Sequence, residues 1–135
     1  MTPQEIVNKM MDGDAFSRWL GIDILEIEKG YSKLRMTIKE PMVNGFTIAH
    51  GGISYSLSDS ALAFAANSYG MQCVSIETSI SHTRPAKIGD VLTAECTELN
   101  RGKTIGIYQV TITNQENKKV SIFKGTVHIS NNVWE

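Results

Sequence analysis

Gly52-Ile53-Ser54-Tyr55-Ser56-Leu57-Ser58-Asp59-Ser60-Ala61-Leu62-Ala63-Phe64-Ala65-Ala66-Asn67-Ser68, with Gly70 two residues on as a stop signal, is the one long helical stretch in this 135-residue sequence. On a helical wheel Ile53, Leu57, Ala61 and Phe64 share one face, while Tyr55, Leu62, Ala63 and Ala66 cover much of the other. A helix apolar on both faces is buried all round. In an α+β layout a strongly curved antiparallel sheet that wraps the helix achieves this. The many small residues, Ser54, Ser56, Ser58, Ser60, Ala61, Ala63, Ala65 and Ala66, predict a close approach of helix and sheet.

Working outward, Thr2-Pro3-Gln4-Glu5 reads as a capping box with Pro at the first helical position. It predicts an N-terminal helix over about 3–18 that buries Ile6, Val7, Met10 and Met11. Gly13 interrupts it before a second turn carrying Phe16, Trp19 and Leu20. Ile22 to Glu28, a Lys29-Gly30 turn, and Leu34, Met36 and Ile38 alternating with Lys33, Arg35, Thr37 and Lys39 predict a hairpin with one solvated face. Beyond the long helix the period stays near two in four runs: Val74 to Ile80, Val91 to Leu99, Thr104 to Thr113 and Val120 to Ile129. Turn signals at Ile88-Gly89-Asp90, Arg101-Gly102 and Asn114 to Lys118 separate them, and the four strands read as an antiparallel meander. The sheet therefore has five to six strands. With no repeat and no low-complexity linker, residues 1–135 are expected to form a single domain.

Thirteen Lys and Arg against fourteen Asp and Glu leave a net charge of −1, so no global field favours nucleic acid or an anionic membrane. The longest run without a formal charge, Pro41 to Ser58, is interrupted by Asn44, His50 and a glycine pair, and does not read as a spanning helix. Met1-Thr2-Pro3-Gln4-Glu5 offers neither a basic nor an apolar leader region, so a cytoplasmic location is expected. Cys73 and Cys96 stand alone and read as small buried hydrophobes of a reducing compartment. His50, His82 and His128 are scattered over different elements, and no metal-ligand cluster is visible.

Two features carry chemistry. Asp59 is the only formal charge between Glu40 and Glu77 and sits mid-helix. A buried carboxylate must be paired, hydrogen-bonded or protonated, so Asp59 reads equally as a structural acid bonded to a neighbouring Ser or partner chain and as a functional one. Upstream, Asn44-Gly45-Phe46-Thr47-Ile48-Ala49-His50-Gly51-Gly52 brings glycines to the point where the helix begins. Free N–H groups and the positive end of the helix dipole meet there, a ready seat for a developing oxyanion. A tight loop that needs glycine, with His50 as a packing residue, is the other reading.

Taken together, Asn44, His50-Gly51-Gly52 and Leu57-Ser58-Asp59-Ser60-Ala61 resemble the signature of hotdog-fold acyl-CoA thioesterases of the phenylacetate-degradation (PaaI-like) type. The likeness extends to Val74-Ser75-Ile76-Glu77-Thr78, to Arg84-Pro85-Ala86-Lys87-Ile88-Gly89-Asp90 and to Arg101-Gly102-Lys103-Thr104, covering roughly Trp19 to Ile129. The resemblance implies a long helix wrapped by a curved sheet, dimers that often form tetramers, and an active site between two subunits. It implies that the Gly51 amide and the Asn44 side chain polarise the thioester carbonyl. Asp59 of the partner subunit would serve as general base or nucleophile, with Ser75 orienting water and His50 near the leaving sulfur or bracing the loop. Gly52, Arg84, Lys87, Arg101 and Lys103 are the implied contacts to substrate and to the phosphates of coenzyme A, which enters only as part of the substrate; no metal and no other cofactor are needed.

A thioester has weak resonance stabilisation and leaves as a thiolate, so one carboxylate and two donors suffice. Gly102-Lys103-Thr104 is no phosphate loop, because Thr97 stands where that motif needs glycine. His82 departs from the apolar or aromatic residues of relatives; it is expected on the outer sheet face, and would make the pocket more polar if it faced inward. Met42, Phe46, Tyr55 and Met71 are candidates for the acyl pocket or for the core. A hotdog module that binds acyl-CoA without catalysis would keep the basic turn but could lose Asp59 or Asn44, and a hotdog dehydratase would carry its His in a different local motif.

Overall fold

Thr2 opens the first helix as its residues predict: the Glu5 N–H donates to Thr2 Oγ1, and the Thr2 N–H donates back to Glu5 Oε2. In the computed structural model, which describes residues 1–135, this helix is α1 (Pro3–Gly13), and it buries Ile6 and Val7. The expected helix over 3–18 is two helices. Asp14 leaves helical geometry at φ −99° and ψ 78° and accepts the Ser17 N–H at 2.9 Å, so it ends α1 and caps α2 (Ala15–Leu20). No helix is long and apolar enough to cross a membrane.

The hairpin follows as β1 (Asp23–Glu28) and β2 (Tyr31–Thr37), turning at Gly30 with φ +75°. After a short 3-10 turn at Glu40–Met42 come α3 (Gly51–Asn67), β3 (Met71–His82), β4 (Val91–Arg101), β5 (Ile105–Thr113) and β6 (Lys119–Val133). All pairings are antiparallel, and the order across the six-stranded sheet is β1-β2-β4-β5-β6-β3. The sheet packs around α3, which touches every strand. One core joins Leu57, Ala61, Leu62 and Phe64 of the helix to Leu34, Met36, Leu92, Val110 and Phe123 of the sheet.

Two expectations need correction. Only β4, β5 and β6 form a meander; β3 pairs with β6 at the far edge, Cys73 opposite Ile129. Thr83–Asp90 therefore crosses three strand spacings, roughly 14 Å, rather than making a hairpin. Its turn signals are local, and local chemistry does not state which edge the next strand joins. The second correction concerns α3, which is not buried all round within one chain: Gly52, Ser56, Asp59 and Ala63, at helical spacing, form an open stripe. Beside the stripe, β3 presents a free edge with Val74 65% and Ile76 58% exposed.

Close approach of helix and sheet relies on the sheet side as well. A Cβ built on Gly125 of β6 would stand 2.5 Å from Leu62 Cδ2 and 3.1 Å from Phe123 Cε1. Gly125→Ala is expected to destabilise the fold by about 1–3 kcal/mol, because one added methyl overpacks the tightest point of the core. Urea denaturation of both proteins measures it; an unchanged midpoint would show that α3 can back away from the sheet.

Candidate active site

The loop before α3 is built by its own side chains. Val43 and Ala49 form an isolated bridge, and the Asn44 N–H donates to the Ile48 carbonyl at 2.8 Å. Asn44 Oδ1 accepts from the Phe46 N–H at 2.9 Å and from the Ile48 N–H at 3.4 Å, while Thr47 takes a positive φ of 64° to close the turn. The carbonyl end of the Asn44 carboxamide is thus committed to the loop. Its Nδ2 donor has no partner within the chain.

His50 is the N-cap of α3, and its Nδ1 accepts the Gly52 N–H at 2.9 Å. The ring lies in a separate hollow with Phe16, Trp19, Met42 and Ile53. This changes the part available to the glycines. Gly52, expected among the substrate contacts, spends its N–H on His50 and faces that same hollow. Gly51 is the first helical residue, and its N–H has no acceptor in the chain, as the geometry of a helix N-terminus requires. One donor is used for the cap and one is left free.

Asn44 and Gly51 line a cleft of about 420 Å³ with Ile48, Ala49, Ser54, His82, Leu92 and Val120. The crossover closes it. Thr83, Arg84, Pro85 and Ala86 form one wall, held by the Ala49 N–H donating to the Ala86 carbonyl at 2.7 Å. His82 does not lie on the outer face of the sheet as expected: it is the last residue of β3, and its ring lies against Gly51, where a Cβ would stand 3.1 Å from Nε2. Strand alternation alone did not reveal this, because the register of β3 shifts between Ser75 and Glu77. Of the acyl-pocket candidates, Met42 is core, Tyr55 donates to or accepts from Thr78 Oγ1 at 2.6 Å and packs edge-on to Phe123, Met71 packs against the core, and Phe46 stands 85% exposed at the loop tip. None lines the cleft.

The four cations do not converge. Arg84 and Lys87 share a polar hollow next to the cleft. Arg101 lies at the other end of α3, where it donates to the Ala66 carbonyl at 3.1 Å and to Tyr108 Oη at 2.8 Å and stacks 3.9 Å over Tyr69. Lys103 is in the exposed turn after it. In one chain Arg101 is therefore a packing residue of the helix C-terminus, a role that its turn-like setting in the sequence does not show.

Asp59 lines a second hollow, about 240 Å³, with Ala63, Cys73, Val74 and Ser75. It makes no hydrogen bond and no ion pair; the two ion pairs of the fold are Arg35 with Asp23 and Lys118 with Glu116. Partial burial, and then the negative charge of Asp14, raise its pKa above the ordinary aspartate value. Asp14 itself is spent on Ser17, whose Oγ meets Ser60 Oγ at 2.8 Å. Eight residues of helix, roughly 12 Å, separate Asp59 from Gly51 along the axis. One chain therefore holds two half-sites: donors at the helix start and an unpaired carboxylate at its middle. No three His, Cys, Asp or Glu side chains converge anywhere as a metal site would require.

Comparison with known proteins gives the family and the fold. Residues 46–121, from the loop tip to the start of β6, match the thioesterase superfamily. The chain is 40% identical over 119 residues to the acyl-coenzyme A thioesterase PaaI of Escherichia coli K12, covering 88% of this chain and 85% of that protein. It is 28% identical to human acyl-coenzyme A thioesterase 13, covering 95% and 94%. The solved structure of the E. coli PaaI protein superposes with a TM-score of 0.95 at 36% identity, over 97% of this chain and 95% of that one. A hypothetical thioesterase from Streptococcus pneumoniae solved with coenzyme A superposes at 0.87 and 26% identity, over 93% and 98%. With its helix wrapped by a six-stranded antiparallel sheet and its thioesterase relatives matching nearly end to end, the chain belongs to the thioesterase superfamily and has the hotdog fold.

Proposed function

We infer that this protein hydrolyses acyl-CoA thioesters to the free acid and coenzyme A, with aryl-acetyl or short-to-medium acyl groups as substrates. The observation that carries the reading is the pair of unspent donors, Gly51 N–H and Asn44 Nδ2, in one cleft. Donors already oriented and free of internal partners stabilise the oxyanion of a tetrahedral intermediate without reorganising. The unpaired Asp59 supports a base for the attacking water, and Ser75, in the same hollow, supports its orientation. Water gives its proton to Asp59 and its oxygen to the carbonyl carbon; the C–S bond then breaks and coenzyme A leaves as the thiolate. Arg84 and Lys87, beside the cleft, supply charge for the CoA phosphates.

The base comes from a second copy of the chain, since roughly 12 Å separates Asp59 from Gly51 of the same helix. The open stripe of α3 and the free edge of β3 with exposed Val74 and Ile76 support self-association into a homodimer or a homotetramer, burying both. The two buried free thiols, Cys73 and Cys96, support a reducing compartment such as the cytoplasm.

Four measurements test this reading. Asp59→Asn is expected to lower kcat by roughly 10²–10⁴-fold. The same change is expected to raise the melting temperature at pH 7. A carboxyl whose pKa is raised on folding costs stability once ionised, and that cost disappears as pH falls through the ordinary aspartate value of about 3.8. Retained turnover in a folded, assembled variant would remove Asp59 from the mechanism. Co-refolding inactive Asp59→Asn with inactive Asn44→Ala is expected to restore about a quarter of wild-type activity, because half of the dimers carry one intact composite site. No recovery would overturn the two-chain site. Across a panel of thioesters, kcat/KM is expected to be higher for phenylacetyl- and hexanoyl-CoA than for palmitoyl-CoA, since the short turns between strands leave little room for a long acyl tunnel; equal or better values with palmitoyl-CoA would reject the substrate class.

A further inference from the structure

His82 has no part in the chemistry described so far, yet its imidazole packs against Gly51 in the cleft that Gly51 lines. A Cβ on Gly51 would meet His82 Nε2 at 3.1 Å and Cε1 at 3.3 Å, so this edge of the ring rests on the bare Cα of Gly51. Asn44, Gly51, Ser54 and His82 line the same cleft. His82 Nδ1, joined to Nε2 through Cε1, lies 3.3 Å from Ser54 Oγ, which is also 3.3 Å from the Gly51 carbonyl oxygen. Ser54 is buried on the first turn of α3. One serine thus ties the ring to the helix start. Ser54 has one hydroxyl proton: given to the Gly51 carbonyl it leaves Nδ1–H to donate to Oγ, and turned to Nδ1 it places the ring proton on Nε2, the tautomer that a bound carbonyl oxygen selects; Nε2 has no partner within the chain.

We propose that His82 is a further catalytic residue, whose Nε2–H donates a hydrogen bond to the thioester carbonyl oxygen held by the Gly51 N–H, and that Ser54 is its positioning residue. The inference rests on the thioesterase reading of the preceding subsection. No proton is transferred in this role: Nε2–H remains on the ring as negative charge builds on the oxygen and is released when the C–S bond breaks. The side-chain length also fits the glycine. Any side chain at position 51 would occupy the space through which Nε2 reaches the cleft, so the bare Cα serves the ring as well as the substrate.

The test is steady-state kinetics of His82→Phe, His82→Gln and Ser54→Ala with phenylacetyl-CoA, each checked for assembly. Phe keeps an aromatic ring against Gly51 but has no donor; Gln places an N–H near the position of Nε2. The expected result is a fall in kcat of roughly 10²-fold for His82→Phe with KM little changed, substantial recovery in His82→Gln, and a smaller fall in Ser54→Ala. A His82→Phe enzyme with wild-type kcat, or one altered in KM alone, overturns the proposal. A second readout holds if His82→Phe does not fold or if the wild type turns over no thioester, which would sink the functional reading instead. With ¹⁵N-histidine-labelled wild type, a CoA thioether bearing a methyl ketone, whose carbonyl cannot be cleaved, is expected to shift the His82 Nε2 resonance, and coenzyme A alone is not. Identical spectra with the two ligands overturn the proposal.

Discussion

The contact between α3 and the sheet at Leu62 and Gly125 sets the depth at which every other element lies. Gly125 has no Cβ to hold the helix away, and Leu57, Ala61 and Phe64 then reach Leu34, Leu92, Val110 and Phe123 in one continuous core. Interiors of this density transmit small displacements rather than absorb them. With the helix fixed against β6, its first residue arrives beside the end of β3 and beneath the crossover that holds the Ala49 N–H. The cleft is thus a consequence of where the helix axis is forced to lie.

The same helix start divides its labour between two adjacent glycines. His50 takes the Gly52 N–H as a cap and stabilises the helix, leaving the N–H of Gly51, which lines the cleft, without an acceptor in the chain. A helix that capped both donors would gain a little stability and lose its anion seat. Asn44 follows the same rule: its carbonyl end closes the loop, and its amide end stays free. In both cases the polar group that shapes the backbone is not the one left for a ligand.

Asp59 shows the opposite economy. It is partly buried and unpaired, and Asp14 adds further repulsion, so the isolated chain holds it at a cost in stability. Residues that lower stability without a packing purpose concentrate where activity needs them.

The sequence by itself determined the helix, the strands and the identity of the family, because each depends on near neighbours. Capping at Thr2 and Glu5, alternation along β2, β4, β5 and β6, and the apolar faces of α3 are properties of spacing, and they appear in the fold where the spacing puts them. The Asn44 loop, Gly51 and Asp59 were legible for the same reason, since they lie within one loop-helix segment. Only tertiary structure decided the rest. It sent β3 to the far edge and turned Thr83–Asp90 into a cleft wall, since strand order depends on pairing between distant segments. It assigned Arg101 to the helix C-terminus and His82 to Gly51 through contacts between residues about thirty positions apart. It also left one stripe of α3 open, because a single sheet, however curved, covers a helix from one side and cannot close over the face that carries Asp59.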